Sequence, residues 1–178
     1  CPCHVVLAIL QCRTAMTIFS ESDSRFMALA VEEAGRAASL GEVPVGAVVV
    51  RDGQVLALEC NRQITLNDPS AHAEMLALRK AAQMLGNYRL PECELFVTLE
   101  PCTMCCGALI HARVKRLVFA TTEPKAGAVI STIRALDNPS LNHSVLWQQG
   151  LMASDSAQLL REFFKTRRAS KTERRPSQ

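Results

Sequence analysis

The sequence predicts an α/β fold: one mixed sheet with helices on both faces. Three observations point there. The 178 residues fit one domain better than two. Two apolar runs, 45–50 and 55–60, flank Arg51-Asp52-Gly53-Gln54, where Asp-Gly marks a hairpin turn. Beyond that hairpin, helix-like and strand-like patterns alternate, which implies helical crossovers. With 48% hydrophobic and 21% charged residues, wholesale disorder and a fibrous repeat are excluded. The longest apolar runs, such as 5–10 and 45–50, fall far short of the roughly 20 residues of a membrane helix.

Residues 1–19 show no clear periodicity and are expected to be a disordered or non-native extension. The domain is expected over 20–168. Cys1, Cys3 and His4 surround Pro2, which is not a usual zinc spacing. Ser22-Asp23-Ser24 predicts a helix start. Phe26, Met27, Ala30, Val31, Ala34, Ala37 and Ala38 form its buried face, and Gly41 stops it. After the hairpin, Asp68-Pro69-Ser70 opens a second helix that ends at Gly86. A buried strand spans 94–99, and Pro101 opens a third helix over about 102–112. A strand follows at 116–121. The looser stretch beyond it holds a short helix near 131–136 and a weak strand near 144–147. A last amphipathic helix covers about 155–168, and 169–178 is expected to be a basic disordered tail.

Charge is unevenly placed. Residues 161–178 hold seven basic and two acidic residues, whereas the other 160 carry 13 basic and 15 acidic. Such a terminus suits a polyanionic partner. On the last helix, Leu159, Leu160, Phe163 and Phe164 form a packing face, while Arg161, Lys165 and Arg168 recur as a basic stripe. Eight aromatic residues are too few for a broad base-stacking platform for unstructured strands. Eight cysteines without a usable signal peptide point to a reducing compartment, where clustered cysteines serve as metal ligands.

Two short motifs carry the chemistry. His72-Ala73-Glu74 opens one helix, and Pro101-Cys102-Thr103-Met104-Cys105 opens the next. Cys102 and Cys105, at i and i+3, share a face of the first turn. A helix N-terminus favours thiolate over thiol. Two thiolates and one imidazole make a three-ligand zinc site, and catalytic zinc keeps its fourth position for water. Cys60, Cys93 and Cys106 remain open as a fourth ligand of a closed structural site. A non-metal reading, with His72 a core histidine and the cysteines small hydrophobes, also remains. Glu74, lacking Ser or Thr three residues earlier, is no capping-box partner. A carboxylate beside the ligands, but not one of them, is the acid–base group that zinc-activated water needs.

These residues resemble the zinc nucleoside and nucleobase deaminases, whose His-x-Glu … Pro-Cys-x-x-Cys signature serves as a standard example of the chemistry. The match extends to Glu42-Val43-Pro44-Val45-Gly46-Ala47, Asn61-Arg62, Asp68–Glu74, Thr98–Cys102, Lys125-Ala126-Gly127-Ala128, Asn142-His143 and Phe163-Phe164. Together they resemble the bacterial tRNA-specific adenosine deaminases over roughly 22–168. The resemblance implies a cytidine-deaminase-like three-layer αβα sandwich with a central mixed five-stranded sheet. It also implies a cytoplasmic homodimer that converts the wobble adenosine (position 34) of tRNA-Arg to inosine, releasing ammonia. By the matching motifs, His72, Cys102 and Cys105 hold one zinc per subunit and Glu74 shuttles protons. Asn61 and Ala73 contact the substrate. Lys125, Arg161, Phe164, Lys165 and Arg168 face the anticodon arm. Gln63 stands where the family usually has Pro, Cys106 where a small Ala is common, and 122–127 replaces a loop that usually carries Arg, Asp and Thr.

Two other classes compete. A zinc deaminase of free bases or nucleosides (cytosine, guanine, cytidine) shares the metal site without needing the basic terminus. A non-catalytic zinc-stabilised RNA-binding module would have no use for Glu74 or an open coordination position.

Overall fold

The computed structural model describes residues 18–173. The expectations about residues 1–17, including Cys1, Cys3 and His4, and about 174–178 lie outside the described residues.

Helix α1 (Glu21–Ser39) begins with a capping box at Ser20. Ser20 Oγ accepts from the Asp23 N–H and Asp23 Oδ2 accepts from the Ser20 N–H, both at 3.0 Å. Two orphan donors of the first turn are thus satisfied reciprocally, and the cap lies two residues before the Ser22 expected from sequence. The hairpin follows as β1 (Gly46–Arg51) and β2 (Gln54–Cys60), with Asp52 and Gly53 both at positive φ. A one-turn helix α2 (Gln63–Leu66) precedes α3 (Ala73–Leu85). Then come β3 (Cys93–Leu99), α4 (Thr103–His111), β4 (Arg116–Thr121), a 3-10 turn (Ala135–Asp137), β5 (Leu146–Gln149) and α5 (Ala153–Glu173).

Several boundaries differ from the sequence reading. Helix α3 starts at Ala73, not at Asp68. Asp68 Oδ1 accepts from both the N–H and the hydroxyl of Ser70, each at 2.7 Å. That local turn takes the aspartate's acceptor away from any helix start. The short helix near 131–136 is instead the 3-10 turn, and the weak strand near 144–147 is shifted to Leu146–Gln149. Helix α5 does not end at Arg168 but continues through Glu173, since no Gly or Pro interrupts 169–173.

The sheet order is β2-β1-β3-β4-β5. β1 pairs antiparallel with β2 and β3, whereas β3–β4 and β4–β5 are parallel. This is the expected mixed five-stranded sheet in three layers. Side chains alternate through the central strands. Ala47, Val49, Leu95, Val97, Leu117 and Phe119 face α3 and α4, where they meet Ala77, Leu78, Ala81 and Leu109. Val48, Val50, Phe96, Val118 and Ala120 face α1 and meet Phe26, Met27 and Ala30. Helix α5 packs beside α1 on that second face. At Gly46 the backbones of α1 and β1 nearly touch: a Cβ there would lie 2.0 Å from the Ala30 carbonyl oxygen. No helix among the described residues is long and apolar enough to cross a membrane.

Candidate metal centre and active site

The helix starts expected to carry chemistry meet beyond the end of the central strand β3. His72 is the N-cap of α3, with extended backbone (φ −71°, ψ 151°). Cys102 is the N-cap of α4, with φ −76° and ψ 175°, and Cys105 lies in its first turn. Parallel strands deliver the second site: β3 ends at Leu99, and three residues later Cys102 begins the helix that crosses to β4. His72 Nδ1 lies 3.8 Å from Cys102 Sγ and 3.7 Å from Cys105 Sγ, and the two sulfurs are 3.7 Å apart. A tetrahedral zinc with ordinary bond lengths has S–S edges of about 3.8 Å and S–N edges of about 3.6 Å. The donor triangle therefore already has the size zinc requires. Among the described residues, this is the one cluster of three or more His, Cys or acidic side chains that fits a metal.

The other cysteines do not complete a closed site. Cys106 Sγ faces the Pro101 carbonyl oxygen at 3.7 Å and is packed in the core, where burial pushes its thiol up to about 12. Cys60 and Cys93 are buried on strands and do not belong to the cluster. Their burial likewise raises their thiols above the ordinary range. Within the triangle, the Cys105 thiol hydrogen-bonds Cys102 and holds it as a thiolate, down to about 3, with His72 reinforcing the effect. The same bond to Cys102 pushes Cys105 up. His72 is raised, first by its bond to Cys102. Two thiols and an imidazole that already share protons in this way become anionic and neutral ligands when a cation takes the protons' place.

Glu74, two residues into α3, is not part of the triangle but lines the pocket beside it. It is 3% exposed, and burial raises its carboxyl above the ordinary range. The pocket is also lined by Asn61, Gln63, Leu99 and Glu123, and it holds a cavity of about 200 Å³ that is open at the mouth. Asn61 is buried, and its Oδ1 accepts from the Ala73 N–H at 2.8 Å. Ala73 itself is fully buried and does not line the pocket, so its influence runs through Asn61.

Two buried glutamates, to which the sequence reading gave no role, stand near this pocket: Glu100 lines it, and Glu42 precedes the lining residue Val43. Glu42 is 1% exposed. Its carboxylate accepts from the N–H groups of Ile64 and Thr65 at 3.2 and 2.6 Å and from the Thr65 hydroxyl at 2.8 Å. Burial pushes its pKa up, but these donors outweigh burial and hold it below the usual carboxylate range. Glu100 is similarly buried and similarly lowered by its donors. Neither was legible, because their partners lie more than twenty residues away.

The residues expected to meet RNA are on the surface. Lys125 is exposed on the wall segment 122–127, and Arg161, Lys165 and Arg168 are exposed on α5. Phe164 is 43% exposed rather than packed, and it meets the half-buried Phe163 edge-on at 5.4 Å. The packing face of α5 therefore stops at Phe163. Arg167 stacks over the Phe163 ring at 5.4 Å, and its charge helps to lower Glu42.

Comparison with known proteins agrees with this geometry. The family described as the cytidine and deoxycytidylate deaminase zinc-binding region matches residues 20–121. The tRNA-specific adenosine deaminase of Haemophilus influenzae is 44% identical over 158 residues, covering 88% of this chain and 91% of its own. That of Agrobacterium fabrum is 47% identical over 145 residues, covering 82% and 95%. A solved structure from a study of A-to-I editing by tRNA:A34 deaminases at the wobble position superposes with a TM-score of 0.75. It is 47% identical and covers 77% of this chain and 99% of its own. On this match of family and relatives, over most of its length and through the residues of the donor triangle, the chain belongs to the tRNA-specific adenosine deaminases of the cytidine and deoxycytidylate deaminase family.

Proposed function

We propose that this chain is a zinc-dependent hydrolase that deaminates the wobble adenosine, position 34, of tRNA-Arg to inosine and releases ammonia. It acts in the cytoplasm as a homodimer with one zinc per subunit. The observation that carries this reading is the opening of the His72–Cys102–Cys105 triangle into a pocket that also presents Glu74 and Asn61. The metal supplies Lewis-acid activation of water, which lets water act as a nucleophile near neutral pH. The chain's own residues do the rest. The water oxygen must reach C6 of adenine while its proton passes to N1, and the C6 amine must leave as ammonia. Glu74 is suited to both transfers: it lies buried in the pocket beside the donor triangle without belonging to it, and one carboxylate can accept a proton and return it. Asn61, with its oxygen committed to Ala73, turns its Nδ2 donors toward the base. The exposed α5 stripe and Lys125 supply phosphate contacts on either side of the mouth.

The decisive experiment incubates the zinc-loaded protein with tRNA-Arg, with tRNAs carrying other anticodons, and with free adenosine, guanine and cytosine. Ammonia release and tRNA sequencing are the readouts. Inosine at position 34 of tRNA-Arg alone is the expected result. Turnover of a free base in preference to tRNA would replace this reading with a nucleobase deaminase, and no turnover with retained RNA binding would replace it with a binding module.

A further inference from the structure

One wall of the pocket, residues 122–131, has no regular secondary structure, so its backbone donors need partners from elsewhere. A single side chain provides partners for four of them. Glu100 Oε1 accepts from three successive backbone N–H groups: Val129 at 3.0 Å, Ile130 at 2.8 Å and Ser131 at 2.9 Å. Its Oε2 accepts from the Glu123 N–H at 3.0 Å and from the Ser131 hydroxyl. The carboxylate is 3% exposed, and a charge so buried is costly unless its lone pairs are satisfied. Here five donors satisfy them. With both oxygens so engaged, Glu100 has no free lone pair to offer a metal or a proton in transit, although it lines the pocket two residues from Cys102.

The fit around this carboxylate is tight. A Cβ on Gly127 would lie 2.4 Å from Glu100 Cδ and Oε2, and 2.6 Å from the Glu123 carbonyl oxygen. Gly127 also bridges to Cys102, and the Ala128 N–H donates to the Pro101 carbonyl oxygen at 2.8 Å. The wall is therefore fastened to the same three residues, Glu100-Pro101-Cys102, that follow β3 and present a metal ligand. Glu123 and Ala126, which line the pocket, lie between the two anchored ends.

We propose that Glu100, seated against Gly127, is a positioning residue that sets the width of the nucleoside pocket by fixing the Glu123–Ala126 wall relative to the metal ligands. This rests on the reading of the pocket as a nucleoside deaminase site. The wall touches the substrate's flank rather than the reacting carbon. Its displacement therefore weakens binding of ground state and transition state alike, which raises KM and leaves kcat in place.

Glu100→Gln is the selective probe. The amide keeps one oxygen for the three N–H groups of 129–131, but it puts an NH2 group where the Glu123 N–H needs an acceptor. Gly127→Ala forces the same wall outward while retaining the carboxylate. Ser131→Ala removes one bond and leaves the Glu123 anchor. Each zinc-loaded variant is assayed beside the wild type on a tRNA anticodon stem-loop. Expected for Glu100→Gln and Gly127→Ala is a rise in KM of about tenfold, the worth of roughly one lost substrate contact. kcat should stay within about threefold and zinc near one per chain. Ser131→Ala should shift KM less than either. An unchanged KM in both stronger variants, or a fall in kcat that tracks lost zinc, would overturn the proposal in favour of a purely structural role. Wild-type protein inactive on the stem-loop but active on a free base would instead refute the RNA reading. The KM for that base would then test the Glu100 wall in the same way.

Discussion

The side-chain oxygen of Asn61 accepts the N–H of Ala73 at 2.8 Å, and this one bond settles which way the amide faces. A backbone donor can be met only by the oxygen, so the NH2 group is turned to the pocket. Asn61→Asp keeps the bond to Ala73 but replaces the pocket-facing donor with an acceptor. It should lower kcat/KM about 10- to 100-fold, the worth of a lost buried hydrogen bond, with zinc content unchanged. Steady-state kinetics with metal analysis checks this, and wild-type activity in the variant would remove Asn61 from the substrate contacts.

Glu74 and His72 are two residues apart yet should fail differently. Glu74→Gln retains size and polarity but cannot carry protons. It should lose at least about 10²-fold in rate, with more expected because one residue serves several transfers. It should keep zinc, because Glu74 is not in the donor triangle. His72→Ala should lose metal and activity together. Inductively coupled plasma analysis and inosine quantification separate the two outcomes. Glu74→Gln working at more than about a tenth of the normal rate would refute its role.

The exposed stripe on α5 predicts a salt dependence. Neutralising Arg161, Lys165 and Arg168 together should weaken tRNA binding and flatten the plot of log K against log salt. Each lost phosphate contact should reduce the slope by about 0.7 to 0.9. Binding titrations from low to moderate salt measure it. A slope unchanged by the triple substitution would leave these charges as a solvated face.

Acid sensitivity should originate partly at Asp23. Its carboxylate takes two bonds from Arg116, at 2.8 and 2.9 Å, and these hold its pKa below the model-peptide value of 3.8. A group lowered on folding contributes its stability above the unfolded pKa and loses it as pH falls through the folded value. Asp23→Asn should therefore cost about 2 kcal/mol at pH 7, as for hydrogen bonds to a charged group, and the deficit should shrink below pH 3.8. Urea unfolding at several pH values tests the sign, and a deficit that grows in acid would contradict it.

The parts of this protein legible in its sequence were those with a local signature. The near-continuous apolar runs at 45–50 and 94–99 announced strands buried on both faces, and Gly86, in the left-handed conformation, announced the end of α3. His72, Cys102 and Cys105 announced themselves because helix starts and an i, i+3 spacing are local. What was not legible depends on distant partners. Helix α2 is too short for any periodicity and owes its first turn to Glu42, which reaches it from 22 residues away. Asp68 looked like a helix cap because its acceptor was available in the sequence, and only the fold shows that Ser70 takes it. Helix α5 outran its apolar stripe because polar residues without Gly or Pro remain good helix formers.

The ligand triangle also has a topological effect. His72 and Cys102 are thirty residues apart, and the chain between them contains all of α3 and β3. A metal joining them ties that segment into a ring, as a disulfide would. Closing a ring of this length removes conformational entropy from the unfolded chain worth about 3–4 kcal/mol. The zinc of such a site therefore does more than chemistry. It clasps the starts of two helices on one face of the sheet, so that chelation should lower the stability of the whole fold as well as stop the reaction.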